Sequence, residues 1–296
     1  MQQKTGVINK AISGFYYVAC DMDVYECKAR GIFRNDNTTP LVGDKVVFEI
    51  DDDNRGIVTE VLKRKNEFTR PPIANIDKLF IVTSILEPAP SLIVIDKLIT
   101  ICEYKDIVPI IVITKTDLKD ASELKKIYEG AGFQVITLSN LENDTFDEVK
   151  NYLRDSISAF AGNTGVGKSS LINNIYPTLE LETAHISKKL GRGRHTTRHV
   201  ELYYIKELNG YVADTPGFGS MDMAKYEIIM KDKLQYCFRE FEPYLNRCKF
   251  TGCSHTVEKG CAVLEALNHG KIAKERFDSY VELYNDAKQI KEWEQK

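Results

Sequence analysis

Residues 162–171 read GNTGVGKSSL, and this stretch restricts the possible folds more than any other part of the chain. The pattern G-x-x-x-x-G-K-[ST] is typical of loops whose successive backbone N–H groups surround a phosphate. Such a loop needs a strand before it and a helix N-terminus after it. The apolar run ISAFAG (157–162) and the stretch SSLINNIY (169–176) supply both. The sequence therefore predicts a phosphate-binding strand–loop–helix unit.

Two continuous apolar runs, IDKLFIVTSIL (76–86) and IVPIIVIT (107–114), precede the phosphate loop. Runs of this kind are typical of strands that are buried on both faces of a sheet. One helical stretch (93–105) separates them, and a second (121–132) leads to a third apolar strand at 133–139. This alternation of strands and helices predicts a parallel, doubly wound α/β sheet.

The first 65 residues have a different pattern, in which short β-prone segments are separated by turn clusters such as RNDNTTP (34–40). Four or five short strands in about 65 residues predict a small barrel such as an OB-fold, with a generic β-module as the alternative. The charged segment KRKNEFTRPP (63–72) ends in two prolines and is interpreted as a linker. The predicted strands are Phe15–Cys20, Tyr25–Phe33, Lys45–Ile50 and Gly56–Leu62.

After residue 221 the pattern becomes helical. Apolar residues recur at helical spacing over 226–245, a cysteine-rich segment covers 248–261, and 262–293 is interpreted as two more helices. The chain is therefore predicted to be a multidomain α/β protein. Its expected domains are the barrel at 1–68, the α/β nucleotide domain at 69–221 and a helical domain at 222–296.

Composition narrows the class of protein. The chain has 43% apolar residues and a net charge of −3, which excludes a generally basic nucleic-acid coat. It has neither an apolar run of about 18 residues that could cross a membrane nor the apolar segment of a signal peptide. We therefore expect a cytoplasmic protein without a membrane partner. Separately, we expect it to be a monomer. Its seven cysteines are then reduced thiols or metal ligands.

The phosphate loop assigns roles to individual residues. Lys168 is expected to reach the β- and γ-phosphates, and Ser169 to ligate Mg²⁺. The glycines allow the backbone to curl around the anion. The residues expected to bind the nucleotide here are Gly162, Asn163, Thr164, Gly165, Val166, Gly167, Lys168, Ser169 and Ser170.

The segment DTPG (214–217) follows another apolar run, GYVA, and matches the D-x-x-G motif of nucleotide switches. Asp214 is expected to hold Mg²⁺ through water, and the Gly217 N–H to contact the γ-phosphate.

The base is indicated by TKTD (114–117) at the end of an upstream apolar strand. The Asp117 carboxylate can accept two hydrogen bonds from guanine, and adenine lacks that donor pair. Lys115 is expected along the face of the base and Thr114 to brace the loop, with Thr116 between Lys115 and Asp117 in the motif. The alternative is a solvated loop after a strand. The predicted nucleotide is therefore GTP, and the next strand end, with Ser139 and Asn140, is expected to contact the guanine O6.

The order of these motifs is permuted. In ordinary GTPases the base motif follows the phosphate loop, but here it precedes it by about 45 residues. A site is defined by its arrangement in space, so the chemistry can survive the change of order. D-x-x-G now lies near the end of the α/β domain, so nucleotide state could move the helical segment behind it.

The catalytic residues are less obvious. Phe218 occupies the position where Ras-like enzymes have a water-orienting Gln, so intrinsic hydrolysis should be slow. The basic segment KKLGRGRHTTRH (188–199) offers His195 to position water and Thr196 or Thr197 as the switch threonine. The alternatives are a solvated basic loop or one that binds nucleic-acid phosphates. The predicted catalytic residues are Lys168, His195, Thr196 and Thr197, and the predicted magnesium ligands are Ser169, Thr197 and Asp214.

The cysteine-rich segment has the pattern C-x4-C-x-H-x5-C. Three thiolates and one imidazole supply a closed tetrahedral shell, which predicts one structural Zn²⁺, with chance thiols as the alternative. The predicted ligands are Cys248, Cys253, His255 and Cys261. The other cysteines, Cys20, Cys27, Cys102 and Cys237, are expected to be small buried hydrophobes.

Together these residues closely resemble the circularly permuted ribosome small-subunit-dependent GTPase A family of bacteria. The resemblance spans the N-terminal barrel, TKTD, GNTGVGKSS, GRGRHTTRH, DTPGF and CKFTGCSHTVEKGC. It implies an OB-fold, a circularly permuted P-loop GTPase domain and a C-terminal helical zinc-binding domain. It also implies a hydrophobic residue in place of the catalytic Gln, which Phe218 matches, and zinc ligands at the four positions above.

The resemblance further implies that the protein binds the small (30S) ribosomal subunit, hydrolyses GTP to GDP there and assists late maturation of that subunit. The barrel and the zinc domain are then expected to contact ribosomal RNA. Two alternatives remain open, namely an RNA-binding protein with a degenerate nucleotide domain and a GTPase with another partner. Candidate RNA contacts, which could instead be core residues, are Phe15, Tyr16, Tyr17, Lys28, Arg30 and Arg34.

Overall fold

A computed structural model describes residues 2–21, 23–29, 39–51, 55–139, 141, 146–177, 200–214 and 227–290. Within these residues, eleven strands form one continuous sheet and two more form a short hairpin. Helices pack on both faces of the parallel part of the sheet. In the described part of the chain, every helix is too short or too polar to span a bilayer.

The N-terminal part is a five-stranded barrel, formed by β1 (Gln2–Ile12), β2 (Phe15–Cys20), β3 (Asp23–Ala29), β4 (Lys45–Ile50) and β5 (Gly56–Val61). The strand order is β1-β2-β3-β5-β4, and β4 pairs back onto β1 to close the barrel. Only the β3–β5 pair is parallel. This confirms the predicted OB-like barrel, and it adds β1, which was not predicted. Its interior contains fully buried Ile8, Val18, Cys27, Val46, Phe48 and Val58.

The segment predicted as a linker (63–72) forms the first strand and the turn of a short hairpin. Strands β6 (Glu67–Phe68) and β7 (Ile73–Ala74) pair in antiparallel fashion. Before the hairpin, Arg64 donates hydrogen bonds to the fully buried carboxylate of Asp44 at 2.7 Å. After it, Asn75 donates to the Gly43 carbonyl at 3.0 Å. Both contacts fix the connection against the barrel.

The remaining strands of the large sheet form its α/β part. These strands are β8 (Lys78–Ser84), β9 (Val108–Thr114), β10 (Gln134–Thr137), β11 (Ile157–Ala161), β12 (Glu201–Ile205) and β13 (Gly210–Asp214). Across the sheet their order is β10-β9-β8-β11-β13-β12, in which the first five are mutually parallel and β12 is antiparallel to β13.

Among the residues that the structure describes, four helices cover the two faces of this part, as the doubly wound fold requires. Alternate residues of the buried strands face opposite clusters, which explains their continuous apolar runs. Helices α1 (Leu92–Tyr104) and α2 (Ser122–Gly130) pack in one cluster, and α3 (Phe146–Leu153) and α4 (Lys168–Ile175) in the other.

Over residues 227–290, the C-terminal part contains three α-helices, namely α5 (Lys231–Leu234), α6 (Ala262–Asn268) and α7 (Lys274–Gln289). The last two confirm the prediction for 262–293. The continuous helical pattern expected over 226–245 is wrong, because only α5 and short 3-10 turns form there. Phe238 has an extended backbone (φ −115°, ψ 97°), and both Phe238 and Phe241 are buried. Tertiary packing of these rings therefore outweighs the local helical spacing.

A buried arginine attaches this part to α1. Arg276 on α7 is fully buried, and it donates hydrogen bonds to Asp96 of α1 at 2.6 Å and to Glu240 at 2.7 Å. Nearby, Arg239 forms an ion pair with Glu103 of α1 at 2.7 Å. Movement of the C-terminal helices relative to α1 would have to break these contacts.

Candidate nucleotide site and metal centre

The phosphate loop lies between β11 and α4, and its glycines adopt backbone angles that other residues rarely use. Gly165 and Gly167 have φ values of 84° and 94°. At Gly162 (φ 149°), an added Cβ would lie 2.1 Å from the carbonyl oxygen of Val82 on β8. Glycine is therefore required both by the curl of the loop and by its close approach to the neighbouring strand.

Lys168 begins α4 and turns its side chain back onto the loop. Its Nζ donates to the carbonyl oxygens of Gly162 at 2.5 Å and Asn163 at 3.2 Å. Burial lowers the pKa of this ammonium group. A cation held at a glycine-rich turn and a helix N-terminus is suited to a polyphosphate. Ser169 and Ser170 follow in the first turn of α4 and are half-buried.

The motif TKTD is joined directly to this loop, although about 45 residues separate them in the chain. The fully buried hydroxyl of Thr114, at the end of β9, donates to the carbonyl oxygen of Val166 at 2.6 Å. The Thr83 carbonyl oxygen on β8 lies 3.2 Å from the same hydroxyl. Lys115, with φ 60°, donates to the Glu87 carbonyl. The first residue of the motif therefore braces the phosphate loop, as expected.

The remaining residues of the base motif face the end of β10 or solvent. The N–H of Thr116 contacts the Leu138 carbonyl at 3.4 Å, and Asp117 is exposed. Ser139 is buried, and its hydroxyl oxygen accepts a hydrogen bond from the Leu141 N–H at 3.2 Å. An exposed carboxylate beside a buried strand end is available to a ligand.

The order of the sheet explains how permuted motifs meet. The strands β9, β10, β11 and β13 are parallel, so the segments that follow them emerge at the same edge of the sheet. TKTD follows β9, Ser139 follows β10, the phosphate loop follows β11, and Asp214 ends β13. The predicted residues that lie outside the described part are Asn140, His195, Thr196, Thr197, Gly217 and Phe218, together with the side chain of Asp214 and the barrel residues Arg30 and Arg34.

A second candidate site lies in the C-terminal part. The ligand atoms of Cys248, Cys253, His255 and Cys261 all lie within 4.8 Å of one another. His255 Nδ1 lies 3.5 Å from Cys248 Sγ and 3.3 Å from Cys261 Sγ, and the two sulfur atoms are 3.8 Å apart. Ligand atoms around tetrahedral zinc are about 3.5–3.8 Å apart, given metal–ligand bonds of about 2.1–2.3 Å. The donor set and its spacing therefore fit a tetrahedral metal ion.

Two residues that sequence reasoning missed support this cluster. Gln235 Oε1 lies 2.9 Å from His255 Nε2, which leaves Nδ1 facing the sulfurs as the ligand atom. Glu258 accepts hydrogen bonds from the N–H groups of Ser254, Thr256 and Val257 at 2.8–3.1 Å. Although partial burial raises the pKa of Glu258, the hydrogen bond from the Ser254 hydroxyl, together with those from backbone N–H groups, outweighs it and lowers the pKa to about 2. The Gln235 contact joins positions twenty residues apart, so no local pattern could reveal it.

The other predicted residues have varied surroundings. Cys27, Cys102 and Cys237 are buried as expected, whereas Cys20 is only half-buried. On the barrel, Tyr16 is half-buried and packs against the core, which favours the alternative that it is a core residue. The remaining candidates on strands β2 and β3 share the other face, where the exposed Lys28 lies 5.2 Å from the ring centre of Phe15, beside Tyr17.

The family model described as the RsgA GTPase matches residues 61–224, and the model of the RsgA N-terminal domain matches residues 5–58. A curated relative from Oceanobacillus iheyensis, "Small ribosomal subunit biogenesis GTPase RsgA 2", is 48% identical over 93% of this chain and 94% of its own. The relative "Small ribosomal subunit biogenesis GTPase RsgA" from Halalkalibacterium halodurans is 46% identical over 96% and 97% of the two chains.

Two solved structures have the same architecture. The crystal structure of YjeQ from Thermotoga maritima is 33% identical, with a TM-score of 0.85 over 98% of this chain and all of its own. YloQ, described as a circularly permuted GTPase, is 37% identical, with a TM-score of 0.81 over 98% and 96% of the two chains. The matches extend over the barrel, the permuted α/β part and the C-terminal part alike. On these grounds, the chain belongs to the RsgA GTPase family.

Proposed function

We propose that this protein is a GTPase that binds the small ribosomal subunit, hydrolyses GTP there and assists late maturation of the subunit. The observation that carries the nucleotide part is the hydrogen bond from Thr114 to Val166, which joins a guanine motif to a phosphate loop. The ribosomal part is supported by family membership and by the names of the relatives.

The proposed site assigns GTP to the carboxyl edge of the sheet. Asp117 accepts hydrogen bonds from the guanine, Lys115 lies along its face, and Ser139 with Asn140 contacts O6. Lys168 and the loop N–H groups bind the phosphates. Further nucleotide contacts are assigned to Thr116, Gly162–Gly167 and Ser170. The N–H of Gly217 contacts the γ-phosphate.

We assign Mg²⁺ to Ser169, Thr197 and Asp214, where it would neutralise phosphate charge during hydrolysis. The Ser169 hydroxyl fits this role, because it lies in the first turn of α4 beside Lys168. His195 positions the attacking water and Thr196 or Thr197 closes on the γ-phosphate. Since Phe218 cannot orient water as a Gln would, intrinsic turnover should be slow, and the bound subunit is proposed to stimulate it.

The metal ion of the Cys₃His cluster is proposed to be one structural Zn²⁺, which suits thiolate and imidazole ligands. With all four positions taken by protein, the ion would hold the loop between the 3-10 turns and α6. The adjacent exposed Phe250, with Lys249 over its ring at 5.6 Å, is a candidate RNA contact.

We further propose a cytoplasmic monomer with the three domains 1–68, 69–221 and 222–296. Seven cysteines without a disulfide bond support a reducing compartment. The barrel would contact ribosomal RNA through the face that carries Phe15, Tyr17 and Lys28.

The test is GTP turnover with and without purified small subunits, for the wild type and for Lys168→Ala. We expect strong stimulation of the wild type and no measurable turnover in the variant. Lys126→Ala, an exposed lysine of α2, is the matched control and should resemble the wild type. Equal rates with and without subunits would reject the ribosomal role, and full activity of Lys168→Ala would reject the nucleotide site.

A further inference from the structure

The loop between β8 and α1, residues 85–91, contains none of the nucleotide motifs, yet it lies at the same edge of the sheet. β8 is flanked by β9 and β11, the strands that precede TKTD and the phosphate loop. Whatever follows β8 therefore enters the space between the base motif and the phosphate loop. The loop reads ILEPAPS, and its residues 86–89 are exposed, so it is free to border a ligand.

This loop contacts both parts of the candidate nucleotide site. The N–H of Ile85 donates to the Thr114 carbonyl at 3.1 Å, which continues the β8–β9 pairing into the base motif. The Glu87 carbonyl accepts the hydrogen bond of the Lys115 ammonium. A Cβ added at Gly165 would lie 3.8 Å from the Cδ atom of Pro88, so the proline ring borders the phosphate loop.

Ser84 holds this loop in place. It is the last residue of β8 and has no exposed surface, and its hydroxyl donates to the Pro88 carbonyl at 2.6 Å. That bond pulls the chain back over the strand end, and Glu87 between the two residues adopts φ 51°, a conformation unusual for a side chain of this size. A buried hydroxyl that restrains a strained turn fixes where the Glu87 carbonyl points.

We propose that Ser84 is a positioning residue of the guanine site, which acts through the loop 85–91 on Lys115. With its ammonium held at Glu87, the aliphatic part of Lys115 is fixed where the proposed function puts the face of the base. The inference rests on that proposed function. Because the Ser84 hydroxyl is fully buried and bonded to the Pro88 carbonyl, it acts on the site through the loop, so its loss should affect binding of the base and leave the hydrolysis step unchanged.

The test compares Ser84→Thr with Ser84→Val, because the two side chains have the same shape and only the first keeps the hydroxyl. Any cost of fitting a larger side chain into this buried position is then common to both. The dissociation rates of fluorescent GDP and of a fluorescent GTP analogue are measured, together with kcat and KM. Losing one hydrogen bond of about 0.5–1.5 kcal/mol predicts dissociation and KM about 2- to 12-fold higher in Ser84→Val, with kcat unchanged.

Competition by inorganic tripolyphosphate separates a positioning role from a general structural one, since tripolyphosphate has phosphates but no base. We expect the two variants to bind it equally. If nucleotide dissociates equally fast from Ser84→Thr and Ser84→Val, this inference is overturned while the proposed function stands. The same holds if Ser84→Val loses tripolyphosphate binding as much as nucleotide binding. Absence of guanine-nucleotide binding in the wild type would overturn the proposed function and this inference together. If neither variant folds, Ser84→Ala is compared with the wild type in the same assays, with the same expected outcomes.

Discussion

Lys10 of the barrel strand β1 forms an ion pair with Glu201 of β12, with 2.9 Å between the charged atoms. The two residues are also directly opposite in the sheet, and on its other side Glu201 pairs with Asp214 of β13. The barrel, β12 and the strand that ends at D-x-x-G therefore lie side by side. Adjacent strands are about 4.8 Å apart, so Asp214 is only two strand spacings from the barrel.

Reversing the charge at Glu201 is expected to loosen this junction. Glu201→Lys places two lysines together and should raise amide hydrogen exchange at residues 8–12, whereas the double variant Lys10→Glu with Glu201→Lys should restore protection. Because both side chains are about one-third exposed, the coupling should be no more than about 1 kcal/mol. Reversal of the exposed pair Lys274–Asp278 on α7 is the control and should leave β1 unchanged. A double variant as unprotected as the single one would contradict the ion-pair account.

Removing the Thr114 hydroxyl should weaken GTP binding by disconnecting the base motif from the phosphate loop. Thr114→Val keeps the shape of the side chain but leaves the Val166 carbonyl without its donor, at a cost of about 1–3 kcal/mol. Thr114→Asn, which retains a donor, should be milder. Isothermal titration with a non-hydrolysable GTP analogue measures both, and equal affinities of Thr114→Val and the wild type would show that the brace is dispensable.

Asp117→Asn should change the preferred base from guanine to xanthine, because the amide nitrogen donates where the carboxylate accepted. We expect a loss of GTP affinity of at least about tenfold and a gain for xanthosine triphosphate. Competition binding with both nucleotides checks this. Asp120→Asn, another exposed aspartate three residues further on, is the matched control. Unchanged GTP affinity in Asp117→Asn would mean that the base lies elsewhere.

Gln235→Ala should weaken metal binding without removing a ligand. Its Oε1 accepts from His255 Nε2 and thereby orients the ring, and loss of such a partner typically lowers metal affinity about 10- to 100-fold. Chelator competition for zinc measures the change, and Gln134→Ala, on the surface of β10, is the control. Cys261→Ser, which removes a ligand, should lower affinity further. Wild-type affinity in Gln235→Ala would argue against Nδ1 coordination.

Arg276→Ala should destabilise the attachment of the C-terminal helices by about 3–5 kcal/mol, since it leaves the carboxylates of Asp96 and Glu240 buried and unpaired. Arg276→Met combined with Asp96→Asn and Glu240→Gln removes the charges together and should recover part of the loss. Limited proteolysis and thermal unfolding measure both the destabilisation in Arg276→Ala and the partial recovery in the triple variant. A single Arg276→Ala variant as stable as the wild type would show that water reaches these carboxylates.

Local sequence patterns predicted much of the secondary structure and of the candidate site. β2 and β4 begin and end at the predicted residues, because alternating and apolar runs bounded by turns define strands without distant partners. The phosphate loop and the four cysteine and histidine ligands follow from spacing alone, since a glycine-rich curl and a closed metal shell each need particular residue types within a few positions.

The tertiary structure alone decided which distant segments meet. Nothing near Arg276 in the chain marks it as the partner of Asp96, 180 residues away, and nothing near Ser84 marks its loop as a neighbour of Lys115. The same holds for the pairing of Lys10 with Glu201 and for the 3-10 turns that replaced the expected helix at 226–245. Backbone preferences act over a few neighbouring residues, whereas burial and charge pairing join segments that are distant in the chain. Contacts between such distant segments therefore exist only once the chain has folded.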